Sequence, residues 1–282
     1  MKVIRISDSL FPKFELILTA EAVERLAPGP DRAQDTFALG VVDDDMPLGA
    51  IAIKCSPPTA EVISLYVVDE YRRLGIGSHL VLEAITDAMS LPGITELIVP
   101  YSESPGEDMY TSFFNGVGME VVDVGAEYRV TVKDALSSPG LSDRFNRKES
   151  TLSWSELSSP QQKKLFAEGA GLYDYYIQHR LREDLVFVSL NEQGDGYRGC
   201  IAVVEENGEL ILAWLRADKS PILMMELIHC ALRQAEENGE QDKVLRIPTI
   251  NSTSDSMVKD LFGDTPELEY YSKRAVFDFD EE

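Results

Sequence analysis

The chain has 282 residues and a formal net charge of −23, with 44% hydrophobic and 27% charged residues. Its length fits two domains of ordinary size better than one, and acidity in both halves without a basic stripe excludes nucleic acid and anionic lipid as partners. Apolar runs such as Leu185 to Leu190 fall far short of the roughly 20 residues that span a bilayer, and the start Met1-Lys2-Val3-Ile4-Arg5 has no apolar leader pattern, so a cytoplasmic chain is expected.

Thr36 to Val42 and Leu48 to Lys54 are β-rich runs on either side of Asp43-Asp44-Asp45-Met46-Pro47, which predicts an antiparallel hairpin. Glu61 to Val68 predicts a third strand. A polar corner and the loop Arg72-Arg73-Leu74-Gly75-Ile76-Gly77 follow. Leu80, Val81, Ala84, Ile85, Ala88 and Met89 then recur at helical spacing. Glu96 to Pro100 predicts a short buried strand, Asp108 to Phe114 a short helix, and Glu120 to Val124 with Glu127 to Val132 a closing hairpin. Ser137-Ser138-Pro139-Gly140-Leu141-Ser142-Asp143 clusters turn formers, so 137–150 is the expected linker between domains at 1–136 and 151–282.

The second half reads as a copy of the first. Gly49-Ala50-Ile51-Ala52-Ile53 matches Gly199-Cys200-Ile201-Ala202-Val203, and Glu61 faces Glu209. Leu97-Ile98-Val99-Pro100 matches Leu245-Arg246-Ile247-Pro248. Where the first half carries its glycine loop the second has Asp218-Lys219-Ser220-Pro221-Ile222, without glycine and with a proline that removes an amide. Its following helix keeps Leu223, Leu227, Cys230 and Ala231 at core spacing, which predicts a folded half with a structural role. Trp154, Tyr173, Tyr175, Tyr176 and Trp214 are read as core aromatics or as one wall of a cleft.

The chemistry concentrates in 72–78. A strand, a glycine turn and a helix start place successive amides at the positive end of a helix, which makes an anion site. Gly75 and Gly77 let a diphosphate approach the backbone, Arg72 and Arg73 add charge, and Ser78 adds a hydroxyl. The pattern lacks the third glycine of a dinucleotide fingerprint and is no Walker loop. Cys55, Cys200 and Cys230 read as reduced thiols. His79, His179 and His229 have no matching ligand partners, so no metal site is expected.

The segment from Glu61 through Tyr71 to Arg72-Arg73-Leu74-Gly75-Ile76-Gly77-Ser78 resembles the GNAT superfamily of acetyl-CoA-dependent N-acyltransferases, whose signature Arg72-x-x-Gly75-x-Gly77 matches. The resemblance implies an α/β (α+β) fold of two tandem GNAT-like domains, each a mixed, mostly antiparallel twisted sheet flanked by helices, the second degenerate. It implies acetyl-CoA as co-substrate, with the backbone of Leu65, Tyr66 and Val67 on the pantetheine arm and 72–78 on the pyrophosphate. Direct attack of an amine needs a base, for which Glu61 stands at the family's glutamate position. The family's tyrosine acid aligns with Phe114, which has no proton to donate. Tyr110 lies one turn earlier on the same helical face, and Asp108 replaces an asparagine. The implied function is an N-acetyltransferase acting on an amine-bearing small molecule or peptide, with cationic acceptors favoured by the acidic surface. The alternative is a non-catalytic acyl-CoA-binding or regulatory module. A duplicated chain is expected to be monomeric.

Overall fold

In the computed structural model, which describes residues 2–141, 151–169, 171–191, 196–218 and 220–279, the acidic cluster after the first β-rich run makes a tight reversal. Asp44 and Asp45 both take positive φ, 43° and 71°, a turn whose twist suits a hairpin. The hairpin belongs to the first of two compact units, which comprises 1–123 and 272–282; the second comprises 124–271.

In the first unit, β1 (Lys2–Arg5), α1 (Phe11–Phe14) and α2 (Ala20–Leu26) precede the hairpin strands β2 (Thr36–Asp43) and β3 (Met46–Ser56). Then come β4 (Thr59–Val67), α3 (Ile76–Met89), β5 (Glu96–Glu103) and α4 (Met109–Gly116). The strands are ordered β1-β2-β3-β4-β5, antiparallel except for the parallel pair β4 and β5. Alternation along β2 and β3 divides the core. Phe37, Leu39, Val41, Ile51 and Ile53 pack with Leu80, Val81, Ala84 and Ile85 of α3, whereas Ala38, Ala50 and Ala52 face Phe11, Phe14 and Leu26 of the first helices. The second face needs small residues because the Phe14 ring lies on the strand: a Cβ at Gly40 would run into it. Each fully buried aliphatic side chain in α3, such as Leu80, contributes on the order of 2 kcal/mol by leaving water. Met89, the last residue of the predicted apolar stripe, is exposed.

The expected closing hairpin is absent. Glu120–Thr131 is one strand, β6, running straight through Gly125 and Ala126. Tertiary contacts hold these two residues extended: Ala126 N–H donates to Thr249 Oγ1 at 2.7 Å, and a Cβ on Gly125 would collide with the Thr249 carbonyl. A glycine that reads locally as a turn serves here as a point of close backbone approach.

The second unit continues with α5 (Val132–Leu136), β7 (Thr151–Ser153), α6 (Ser159–Glu168), α7 (Leu172–Ile177), β8 (Phe187–Leu190), β9 (Tyr197–Glu206) and β10 (Glu209–Ala217). It ends with α8 (Pro221–Glu237), β11 (Val244–Pro248), α9 (Ser252–Phe262) and the start of β12 (Glu267–Asp278). Its strands run β6-β11-β10-β9-β8-β7, with β10 and β11 parallel. Leu223, Leu227, Cys230 and Ala231 of α8 are buried, as their spacing predicts. Trp154 is buried and packs on Phe166 and Tyr176, so it is a core residue, while Tyr173 is exposed.

The units are bounded at 123/124 and 271/272, whereas the sequence places its linker at 137–150. Within that segment Leu141 is buried in the second unit's core, and residues 142–150 lie outside the described residues. The last strand returns to the first unit: Ala275 is fully buried there with Phe277 and Phe279 against it, and Phe279 N–H donates to Thr95 O at 2.9 Å. Among the described residues no helix is long and apolar enough to cross a membrane.

Strand register corrects the internal alignment. The β3–β4 hairpin closes on Ser56 and Thr59, the β9–β10 hairpin on Glu206 and Glu209, an offset of 150. The bulge confirms it, falling at Ile63 in β4 and at Ala213 in β10. Glu209 therefore corresponds to Thr59, and Glu61 corresponds to Ile211. The sequence pairing of Glu61 with Glu209 slipped by two residues, which preserves the strand face and so leaves the hydrophobic pattern unchanged.

Candidate active site in the first unit

The site begins where two strands part. β4 and β5 pair from Thr59 and Glu96 to Glu61 and Ile98, while β4 goes on pairing with β3 as far as Val67. From Val62 onward one backbone edge of β4 therefore faces a cleft of about 780 Å³. Its walls are β4, the glycine loop, Val99 to Ser102 of β5, and Met109, Tyr110, Phe113 and Phe114 of α4. The start of α2 is tied to the β4 bulge. Thr19 Oγ1 donates to the Ile63 carbonyl at 2.9 Å, and Thr19 N–H donates to Ser64 Oγ at 3.1 Å.

The glycine loop has the geometry an anion needs. Gly75 caps α3 in the left-handed region at φ +81°, a conformation that L side chains rarely adopt. No side chain caps this helix. Its first turn presents the N–H groups of Ile76, Gly77 and Ser78 without carbonyl partners in their own helix, and the next amide, His79 N–H, bonds Gly75 O at 3.0 Å. A Cβ on Gly77 would sit in van der Waals contact with the Phe113 ring, 3.4 Å away, between residues that line the cleft.

Leu65, Tyr66, Val67, Arg72, Arg73, Gly75, Ile76, Gly77, Ser78 and Tyr110 all line the cleft, so the structure brings most of the predicted residues together. Leu74 does not: it is 60% exposed and outside the lining. Glu61 lies in the last paired step between β4 and β5, at the closed end of the fork, and is also outside the lining. Arg72 is turned onto its own loop. Its Nε donates to Val67 O at 3.0 Å, its guanidinium pairs with Asp69 at 2.7 Å, and it covers the Tyr66 ring. It stiffens the cradle and is partly neutralised, which leaves Arg73 as the cation of the pair that Asp69 does not tie down.

Phe114 is buried at the position where the resemblance puts a tyrosine. Beside it, 5.1 Å between ring centroids, stands Tyr101, a cleft residue that the sequence did not single out. The predicted strand stopped at Pro100, whereas β5 continues to Glu103. Glu103 is a buried carboxylate that accepts the amides of Tyr110 (2.9 Å) and Thr111 (3.2 Å), the Thr111 hydroxyl (2.6 Å) and the Lys273 ammonium (3.0 Å). Burial raises this carboxyl, but those hydrogen bonds outweigh it and hold its pKa at about 2. Asp108 precedes α4 as its N-terminal neighbour, within 3.4 Å of the Ser112 hydroxyl.

The second unit keeps the fork and lacks the cradle. β10 and β11 pair only at Leu210 and Ile211. The connection from strand to helix is 218–220 there, against 68–75 in the first unit. Pro221 removes one amide, and Ser220 Oγ accepts another, Leu223 N–H at 3.2 Å. The start of α8 therefore offers fewer free amides than the start of α3.

The sequence model of the Acetyltransferase (GNAT) family matches residues 4–113, all within the first unit. No curated protein matches the sequence. Among solved structures, a tandem GNAT protein from the clavulanic acid biosynthesis pathway is similar over 100% of both chains, with a TM-score of 0.57 and 13% identity. A GCN5-related N-acetyltransferase from Sphaerobacter thermophilus is similar over 98% of this chain and 96% of its own, at TM-score 0.61 and 13% identity. A probable N-acyltransferase from Enterococcus faecalis covers 99% of this chain and 72% of its own, at TM-score 0.57 and 12% identity. At these identities the likeness is one of fold, and it extends over both units. Residues 4–113 of the first unit thus match the Acetyltransferase (GNAT) family, and the fold of the whole chain is like that of solved tandem GNAT proteins.

Proposed function

We propose that the chain is an N-acetyltransferase that moves acetyl from acetyl-CoA to an amine by direct attack, and that only the first unit binds the thioester. The observation that carries this reading is the uncapped, glycine-opened start of α3 at the mouth of a strand fork. Acetyl-CoA fits such a site in both its parts. Free N–H groups at a helix start suit the pyrophosphate, and the unpaired edge of β4 at Leu65, Tyr66 and Val67 offers backbone partners to the amide-bearing arm. A cleft of about 780 Å³ is of the size that encloses a ligand of this class.

In this reading the amine attacks the thioester carbonyl, and Glu61 takes the proton the nitrogen must lose. Its place at the closed end of the fork makes a bridging water the natural carrier. The corrected register supports a specific role for this carboxylate, since the second unit has Ile211 at the equivalent position. A proton for the departing sulfur comes from the tyrosines of the opposite wall, Tyr110 being the one legible in the sequence.

The test is incubation of the full chain with acetyl-CoA and a panel of amines, polyamines and lysine-rich peptides among them, following free thiol and measuring acetyl-CoA binding in parallel. Amine-dependent thiol release is expected. Tight binding with no release on any amine would replace this reading with that of an acyl-CoA-binding module.

A further inference from the structure

The cleft wall opposite β4 contains a chain of hydrogen bonds whose direction can be worked out. Thr111 Oγ1 lies 2.6 Å from Glu103 Oε2, 3.0 Å from Lys273 Nζ and 3.0 Å from Tyr101 Oη. A carboxylate only accepts and an ammonium only donates. The single Thr111 proton is thereby committed to Glu103, Lys273 donates to Thr111 Oγ1, and the remaining bond must run from the Tyr101 hydroxyl to Thr111. Tyr101 is thus held as a neutral phenol with its proton placed, in the lining of the cleft and against the Phe114 ring. The cation of this chain comes from β12, 170 residues beyond Glu103 in sequence.

We infer that Tyr101 is the proton donor to the departing thiolate, and that Lys273, acting through Thr111 and Glu103, positions it. The inference rests on the acetyl-transfer reading. As the C–N bond forms, the carbonyl electron pair moves to oxygen; its return breaks the C–S bond, and sulfur leaves with that pair. Rotation about Cζ–Oη turns the Tyr101 hydroxyl from Thr111 to the sulfur, which takes the proton. The phenolate left behind sits near the Lys273 charge and regains a proton from solvent, which has received the amine's proton through the base. Acetyl-CoA and amine become amide and free thiol, with no other reactant. Tyr110 is a weaker candidate: it is 46% exposed, with its ring set edge-on to Tyr101 at 6.0 Å.

The experiment compares the full chain with Tyr101→Phe, Tyr110→Phe, Lys273→Arg and Lys273→Met, following thiol release from neutral to alkaline pH and acetyl-CoA binding at each step. Tyr101→Phe is expected to lower kcat by about 100-fold with acetyl-CoA affinity unchanged, the lower end of what a positioned acid supplies. The phenol acts in its protonated form, so activity of the unmodified chain falls as pH rises through the Tyr101 pKa. Burial places that fall above the ordinary tyrosine range, the Glu103 and Asp123 carboxylates adding to it and the Thr111 hydrogen bond and Lys273 charge opposing it, and Tyr101→Phe abolishes it. Lys273→Met moves the fall higher still and lowers kcat, whereas Lys273→Arg restores much of both. A Lys273→Met chain that does not fold leaves the decision to Tyr101→Phe and Lys273→Arg. Full kcat and an unchanged alkaline fall in Tyr101→Phe, with both lost in Tyr110→Phe, would overturn the inference and leave acetyl transfer standing. Binding without thiol release by the unmodified chain removes acetyl transfer itself, and Tyr101 with it.

Discussion

The two units share a hairpin at an offset of 150, a bulge at the same step and a strand fork, yet differ in the connection that follows the fork. In the first unit, 68–75 ends in a left-handed glycine and an uncapped helix. In the second, 218–220 ends in a serine cap and a proline. The sheet and its covering helix are set by burial over many residues, which tolerates drift at any one of them. An anion cradle depends on a few backbone amides being left without partners, and in α8 one proline and one serine hydroxyl take away two of the three that would open it. That is why the same fold persists in both units while the proposed chemistry is assigned to one.

The largest expected effect comes from filling the cradle. Gly75→Glu with Gly77→Glu puts a side chain at φ +81° and two carboxylates at the positive end of α3, and should abolish acetyl-CoA binding while circular dichroism of the chain is retained. Retained binding would break the comparison. Next, Glu103→Gln should destabilise the first unit by about 3 kcal/mol, since it leaves the Lys273 ammonium without its buried counter-charge. The Glu103 carboxyl is held at about 2 in the folded chain, so its contribution is complete above the ordinary carboxylate value and is lost as pH falls toward 2. Urea midpoints measured across that acid range should fall less steeply in the variant. The smallest effect sharpens the other side. Ser220→Ala should cost about 1 kcal/mol of stability by removing the α8 cap and should create no acetyl-CoA binding, because the connection remains too short to form a cradle.

Much of the first unit is legible in its sequence because local rules decide it. The Asp43–Pro47 reversal, the apolar stripe of α3 and the strand-loop-helix order around Gly75 carry their own signal, and the structure has all three, with the stripe buried to Ala88 and Met89 and Leu74 exposed. Three features carry none. Gly125 and Ala126 read as a turn, but Thr249, 123 residues beyond Ala126, holds them extended through its hydroxyl and its backbone. Glu61 and Glu209 look equivalent because identical residues invite alignment, whereas hairpin closure and the bulge set the register. Tyr101 and Lys273 have no sequence pattern in common; the return of β12 to the first unit brings them to Thr111, and only topology predicts that. The candidate acid of the sequence reading, Tyr110, was found by helical spacing from Phe114, a rule that cannot see across from α4 to β5.

Calorimetric titration of acetyl-CoA into the full chain tests directly whether only one of the two units holds it. One molecule bound per chain, at the cradle opened by Gly75 and Gly77, is expected. Two molecules per chain, or none at any accessible concentration, would contradict it.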